Sequence, residues 1–289
     1  MTTAPPESKP TRRGVWLAVA VVVGLLALST WDALRNSGRS SPAALRRAAF
    51  DGDEATVRRI IAAHPEWIDL PGSTNGQTRV LGGLYEKAMK GLGKSPSAPS
   101  SSDPEHYFQQ LERLGANALF HAVAKKHIGT AMILVEAGAN PRMKLSTGES
   151  IVPMAAYVGD TKLMSALERR GANLNELQPG TGMTALHQAA YGQRPEMLLY
   201  LLGRGLSVNS TNRGGVTPLH IVAGHARLDF VQILVTNGAD LTLTNRRGDT
   251  ALDAARLRVL QGADSKAVAV VTWLEDFAAT NQPPAKPAP

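Results

Sequence analysis

The 289-residue sequence contains no cysteine, and aromatic residues make up only 5% of it. The lack of cysteine excludes disulfide bonds, thiolate metal sites, iron–sulfur clusters and a cysteine nucleophile. It is also compatible with an oxidising compartment. The G-x-S-x-G, P-loop and G-x-G-x-x-G patterns of hydrolase and nucleotide sites do not occur either. The sequence therefore argues against an enzyme, and it predicts neither a cofactor nor a metal site.

Basic residues outnumber acidic ones, which gives a formal net charge of +7 and a pI of about 9.8. An acidic partner or an anionic surface is therefore easier to accommodate than a basic one. Alanine and arginine are frequent and lysine is scarce, a bias typical of GC-rich bacterial genomes.

The first segments suggest attachment to a membrane. Residues 1–13 are polar and proline-rich, and we expect a disordered cytoplasmic tail. Residues 14–31 carry no charge, and as a helix they would be roughly 27 Å long, just able to cross a hydrocarbon core of about 30 Å. A short tail ahead of a first apolar segment usually stays in the cytoplasm. We therefore predict a single-pass signal anchor in the inner membrane, followed by a linker, 32–42.

Two alternatives concern this same segment. Ala27-Leu28-Ser29 weakly fits a small-x-small cleavage site, so export after signal cleavage remains open. The pair Arg12-Arg13 faintly matches a twin-arginine signal, although the apolar core is more hydrophobic than is usual for one. In either case the rest of the chain is expected on the periplasmic or extracellular side.

The remainder of the chain repeats with one period. Equivalent positions fall at Asn117, Ser150, Thr184, Thr217 and Thr250, at intervals of 33, 34, 33 and 33 residues. A second, independent set consists of glycines with the same spacing: Gly138, Gly171, Gly205 and Gly238. A fixed period of this length is the signature of a repeat architecture.

Each repeat is predicted to contain two helices. Thr217 is a helix N-cap, and Pro218 stands at the first helical position, where its missing N–H has no consequence. A second helix has apolar residues at helical spacing, as in residues 228–235, and ends near Gly238. The prediction is an all-α fold.

The motifs TPLHIVA (217–223) and TALHQAA (184–190) resemble the ankyrin repeat, as do the Gly-Ala-Asn and Gly-Ala-Asp segments that follow the second helices. The resemblance covers residues 43–279. It implies a solenoid of about six helix-pair repeats with β-turn fingers, here preceded by one transmembrane or signal helix, and a role in protein binding. The Pro/Ala tail 280–289 is expected to be disordered.

One interval departs from the period. Ala43 and Asn117 are 74 residues apart, 41 more than one 33-residue period. Residues 71–114 are therefore predicted to be an insertion or a degenerate repeat, in which 94–103 is of low complexity.

His220 could in principle be a catalytic base, a metal ligand or part of the repeat. Successive repeats lie about 8–10 Å apart, whereas two ligands of one zinc ion each lie about 2.0–2.1 Å from it. His187 and His220 are therefore poorly placed to share a metal. The resemblance implies that this histidine bonds to backbone and tethers neighbouring loops beside the threonine cap. We accordingly predict structural roles for Thr184, His187, Thr217, His220 and Thr250.

A partner-binding surface is the remaining functional candidate. In an ankyrin array the fingers and first helices line a concave face, where tyrosine and arginine are favoured binding residues. The predicted partner-binding residues are Arg142, Lys144, Tyr157, Gln188, Tyr191, Arg213, His225, Arg246 and Arg247.

The expected partner is an unknown protein, and the net positive charge favours an acidic one. Residues 14–31 would contact the membrane, and nucleic acid is not expected because the array would lie across the membrane from the chromosome. The hypothesis is a membrane-tethered protein-interaction scaffold. The alternative is an envelope inhibitor or immunity-type protein that occludes an enzyme or toxin.

Overall fold

The structure is a computed structural model that describes residues 40–72, 104–262 and 265–280. The predicted tail 1–13 and signal anchor 14–31, most of the linker and of 71–114, and the tail from 281 onward lie outside these residues. Within the described ranges no helix is both long and apolar enough to cross a membrane.

Thirteen α-helices are described, together with a 3-10 turn at Pro65–Trp67, and the described residues form no β-strand beyond an isolated bridge between Lys144 and Ser150. The all-α prediction is confirmed. The helices are α1 (Pro42–Asp51), α2 (Glu54–Ala63), α3 (Pro104–Arg113), α4 (Ala118–Ala124), α5 (Ile128–Glu136), α6 (Ile151–Val158), α7 (Thr161–Arg169), α8 (Ala185–Tyr191), α9 (Pro195–Gly203), α10 (Pro218–Gly224), α11 (Leu228–Thr236), α12 (Ala251–Gln261) and α13 (Ser265–Thr280).

All of these helices except α3 form six pairs that stack in two layers. The first helices pack in the order α1, α4, α6, α8, α10 and α12. Behind them α2 packs on α5, α5 on α7, and α7 on α9, while α11 packs on α13. The core runs between the layers, because the same apolar position of each second helix is buried; these residues are Leu134, Leu167, Leu201 and Leu234.

Tight turns join the two helices of a pair and require a left-handed residue. Gly159 supplies it in one repeat with φ 92°, but Lys126, Gln193 and Ala226 adopt φ values of 62°, 54° and 55° at the equivalent turns. Residues with a Cβ are disfavoured in this region. The stack therefore holds three turns in a conformation that glycine would adopt more easily.

Helix α3 lies beside the stack and is not a layer of it. Helix α1 packs directly on α4, so the first two helix pairs are neighbours although the long segment separates them in sequence. The buried side chains of α3 are Phe108 and Leu111, and the Phe108 ring meets Phe50 of α1 edge-on at 5.1 Å. The insertion or degenerate repeat over 71–114 stays a prediction.

Candidate partner-binding surface

The threonines at the starts of the first helices cap them in reciprocal pairs with the residue three positions on. The backbone N–H of His187 donates to Thr184 Oγ1 at 3.4 Å, and the N–H of Thr184 donates to His187 Nδ1 at 3.2 Å. Thr217 and His220 repeat both bonds. Each pair satisfies two N–H groups that a helix start leaves without partners.

The outer nitrogens of the same two imidazoles join one repeat to the next. His187 Nε2 donates to the carbonyl of Val216 at 2.8 Å, and His220 Nε2 donates to the carbonyl of Asp249 at 3.0 Å. Burial lowers the pKa of His187, and the nearby His220 lowers it further, although the Val216 carbonyl acts in the opposite direction. Nε2 of each ring carries the proton and Nδ1 accepts from the threonine, which leaves no lone pair for a metal or a substrate proton.

The cap varies at the other repeats. Thr250 caps α12 with Asp253 in place of histidine, and Asn117 caps α4 through its Oδ1, which accepts from the N–H of Phe120. Ser150 has Pro153 at the matching position. Proline has no N–H, and the buried Ser150 Oγ has no hydrogen-bond partner in the described part of the chain.

An aromatic strip crosses three successive repeats on the surface of the first helices. We define it by Tyr157, Tyr191 and His225, whose ring centroids are 6.3 Å and 5.5 Å apart. The two tyrosines are 38% and 54% exposed. Lys126 extends the strip at one end, with Nζ 5.5 Å from the Tyr157 centroid. Three of the predicted binding residues thus share one solvent-facing surface.

Gln188 lies next to this strip but is engaged within its own repeat. Its amide nitrogen donates to Gln178 Oε1 at 2.7 Å, and the side chain is half-buried. It therefore positions the loop before α8.

Three of the predicted basic residues also have partners within the stack. Arg142 Nε donates to the carbonyl of Gly171 at 2.8 Å, just beyond the end of α7. Lys144 pairs with Glu176 at 3.3 Å, and an Arg213 NH group donates to the Gly180 carbonyl at 3.1 Å. These bonds link neighbouring repeats, so the structure gives these side chains a stacking role that the sequence did not predict.

The last finger, which comprises residues 241–249 before α12, differs from the others. The exposed side chains of Arg246 and Arg247 make no hydrogen bond or ion pair with the described residues, although their backbone N–H groups bond to Gly214 O and Asn245 Oδ1. The finger and α12 line an open groove with a volume of about 590 Å³. Leu257 and Leu260 line the groove and are 52% and 84% exposed. Sequence reasoning missed both leucines, although they lie at helical spacing on a predicted helix.

A buried ionic cluster, which sequence reasoning also missed, holds α3 against α1 and α4. Arg46 Nε donates to Glu112 Oε1 at 2.6 Å and a terminal nitrogen donates to Oε2 at 2.9 Å. His121 Nε2 lies 3.0 Å from the same Oε1. Burial would raise the pKa of Glu112, but the bonds from His121 and Arg46 lower it below its usual value. Burial lowers the pKa of His121, so a neutral imidazole donates to a charged carboxylate.

Comparison with known proteins agrees with this architecture. A family model described as "Ankyrin repeats (3 copies)" matches residues 119–212 and 152–245. The nuclear factor NF-kappa-B p105 subunit of Gallus gallus is 30% identical over 91 residues, which is 31% of this chain. The chain spans only 9% of the length of that relative.

A similar fold occurs in a solved structure. The match is to a chain from the complex of the Bd0816 predatory endopeptidase of Bdellovibrio bacteriovorus with the immunity protein Bd3460. It has a TM-score of 0.53 and 22% sequence identity, and it covers 81% of this chain and 99% of that one. At this identity the likeness concerns the fold alone. The family match falls on the stacked helix pairs that carry the threonine–histidine caps, and the chain contains ankyrin repeats over residues 119–245.

Proposed function

We propose that the chain is a non-enzymatic scaffold that binds a protein partner on the surface formed by its first helices and fingers. The aromatic strip of Tyr157, Tyr191 and His225 is the observation that carries this proposal. Its tyrosines are exposed to solvent, and tyrosine is one of the residue types that contribute most to binding at protein interfaces. Tyr191 and His225 lie at the ends of α8 and α10, which the threonine–histidine pairs cap and join to the next repeat, so this part of the strip offers a rigid surface that loses little freedom on binding.

The scaffold is proposed to be tethered to a bacterial inner membrane through residues 14–31 and to face the periplasm or the cell exterior. The support is the uncharged run of eighteen residues and the short basic tail before it. The net charge of +7 favours an acidic protein as the partner. Nucleic acid is not proposed as a partner, because the array would be on the other side of the membrane.

Partner binding is tested by capture from membranes of the source organism with the full-length chain as bait. Wild type is compared with the double variant Tyr157→Ala/Tyr191→Ala and with Leu199→Ala. Leu199 is a matched control, because it is a 51% exposed apolar residue on the second helix α9. A protein retained by wild type and by Leu199→Ala but lost with the tyrosine variant supports the proposal. Equal capture by all three places binding elsewhere.

The topology is tested by reporters fused after Pro289. Alkaline phosphatase is active only outside the cytoplasm, whereas a suitable fluorescent protein matures only inside it. Phosphatase activity without fluorescence is expected. Fluorescence with a silent phosphatase would overturn the proposed location.

An inhibitor or immunity-type function is the second candidate. It is favoured by the likeness in fold to a chain from the complex of an endopeptidase with an immunity protein. On this proposal, adding the purified chain to an envelope extract lowers its peptidase activity, and the tyrosine double variant does not. If the partner binds but keeps its enzymatic activity, the inhibitor function is wrong and the scaffold function remains.

A further inference from the structure

The groove at the last finger combines exposed apolar side chains with two arginines whose side chains have no partner among the described residues. The finger contributes Arg246 and Arg247, and α12 contributes Leu257 and Leu260, which are three residues apart and so lie on the same side of that helix. Single exposed leucines are common on protein surfaces. Two of them in one concavity beside two guanidinium groups form a more specific surface.

The acidic residues that line the groove are already engaged. Asp249 accepts a bond from Asn245 Nδ2 at 3.1 Å. Asp253 accepts from the Thr250 N–H and hydroxyl at 2.9 Å and 2.6 Å. The two carboxylates thus stabilise the finger and the cap of α12. Within the described ranges neither forms a hydrogen bond or an ion pair with Arg246 or Arg247.

The third arginine of the groove is engaged as well. Arg256 donates to Glu275 of α13 at 2.7 Å and lies 3.6 Å from Asp253. It is thereby tied to the last helix pair. The lining carries a net positive charge, because Arg246, Arg247 and Arg256 outnumber Asp249 and Asp253, and the side chains of Arg246 and Arg247 bond to none of the described residues.

We propose that this groove binds an acidic segment of the partner protein that also carries large apolar side chains. Carboxylates of the segment would pair with Arg246 and Arg247, since guanidinium groups match carboxylate geometry. Its apolar side chains would cover Leu257 and Leu260. This inference rests on the proposed scaffold function and specifies where the partner is anchored and by what chemistry.

A defined peptide tests the groove without knowledge of the partner. The probe is a fluorescent peptide, Glu-Leu-Glu-Glu-Leu-Leu-Glu, and its binding to the purified full-length chain is followed by fluorescence anisotropy. One comparison peptide has lysine in place of glutamate, and another has serine in place of leucine. The acidic, leucine-containing probe is expected to bind most tightly, and to bind more weakly as salt is raised.

Two protein variants and two matched controls locate the binding. Arg246→Gln/Arg247→Gln and Leu257→Ser/Leu260→Ser should each weaken probe binding by about tenfold or more. The controls are Arg58→Gln/Arg59→Gln, which removes two exposed charges from α2 at the other end of the stack, and Leu199→Ser on α9. Neither control should change the affinity, and circular dichroism melts should show that all four variants are folded.

Four results would overturn the inference. Equal binding by the groove variants and the wild type would place the site elsewhere, and equal binding of the lysine peptide would contradict the acidic preference. Self-association of the chain that Leu257→Ser/Leu260→Ser abolishes would identify the occupant as a second copy. In the fourth result, every variant except the tyrosine double variant captures the partner while the probe peptide does not bind. That result would contradict this inference and leave the scaffold function intact.

Discussion

His220 Nε2 donates a hydrogen bond at 3.0 Å to the backbone carbonyl of Asp249, the residue that precedes the next repeat. The same ring accepts from Thr217 through Nδ1, with the backbone N–H at 3.2 Å and the hydroxyl at 2.8 Å. One side chain therefore both starts its own helix and attaches the following finger. Its contribution to the protein is to stability and to the placement of the first-helix surface.

His220→Ala is expected to lower the free energy of unfolding by about 1–3 kcal/mol, because buried groups lose their hydrogen-bond partners. The measurement is urea unfolding followed by circular dichroism. His225→Ala is the matched control, since that histidine is exposed and lies at the C-terminal end of the same helix, α10. Substitutions at exposed positions usually change stability by less than about 0.5 kcal/mol. An unchanged midpoint in His220→Ala would contradict the structural role.

Stability should fall as the pH drops below neutrality. Burial lowers the pKa of His187 in the folded chain, whereas an unfolded histidine titrates near about 6.5. Between these two values the unfolded state binds more protons, so stability rises with pH across that window and levels off above it. His121 shifts in the same direction through burial.

Thermal melts between about pH 5 and 8 measure this slope. His187→Gln should reduce it, and the remaining slope should include the contribution of His121. A slope identical to that of the wild type would show that the buried imidazole is not kept neutral by the fold.

Glu112→Gln should destabilise the chain by about 3–5 kcal/mol, because it leaves the charge of Arg46 buried without its counterion. Glu105→Gln is the control: Glu105 lies on the same helix and pairs with Arg47, but both side chains are close to half-exposed. Exposed pairs are worth about 0–1 kcal/mol. Chemical denaturation of the two variants makes the comparison, and equal effects would mean that burial does not decide the strength of the pair.

Gln193→Gly should be more stable than Gln193→Ala by roughly 1 kcal/mol. Both variants lose the same side-chain contact with Arg227, but only glycine relieves the left-handed backbone with φ 54°. The difference in unfolding free energy therefore isolates the backbone. At Gly159 glycine should again be more stable than alanine, because the added Cβ of Gly159→Ala would clash with the side chain of Arg194 and the backbone there has φ 92°. A Gln193→Ala variant as stable as the glycine variant would show that the turn is not strained.

The helix pairs and their caps could be predicted from the sequence because they depend on residues close together in the chain. Thr184 and His187, or Thr250 and Asp253, are three residues apart, and any chain that starts a helix there brings them together. The 33-residue spacing then aligns these starts, and stacking buries the leucines that recur at the same interval.

Only the tertiary structure decided which surface residues are available to a partner. Arg142, Lys144, Arg213 and Arg246 all precede a first helix and look alike in sequence. The side chains of the first three bond to a carbonyl or carboxylate of a neighbouring repeat. The side chain of Arg246 has no such partner among the described residues. Arg46 and Glu112, 66 residues apart, likewise meet only because α3 packs against α1 and α4. Such contacts depend on distances in space between segments that are remote along the chain, and local sequence pattern contains no information about those distances.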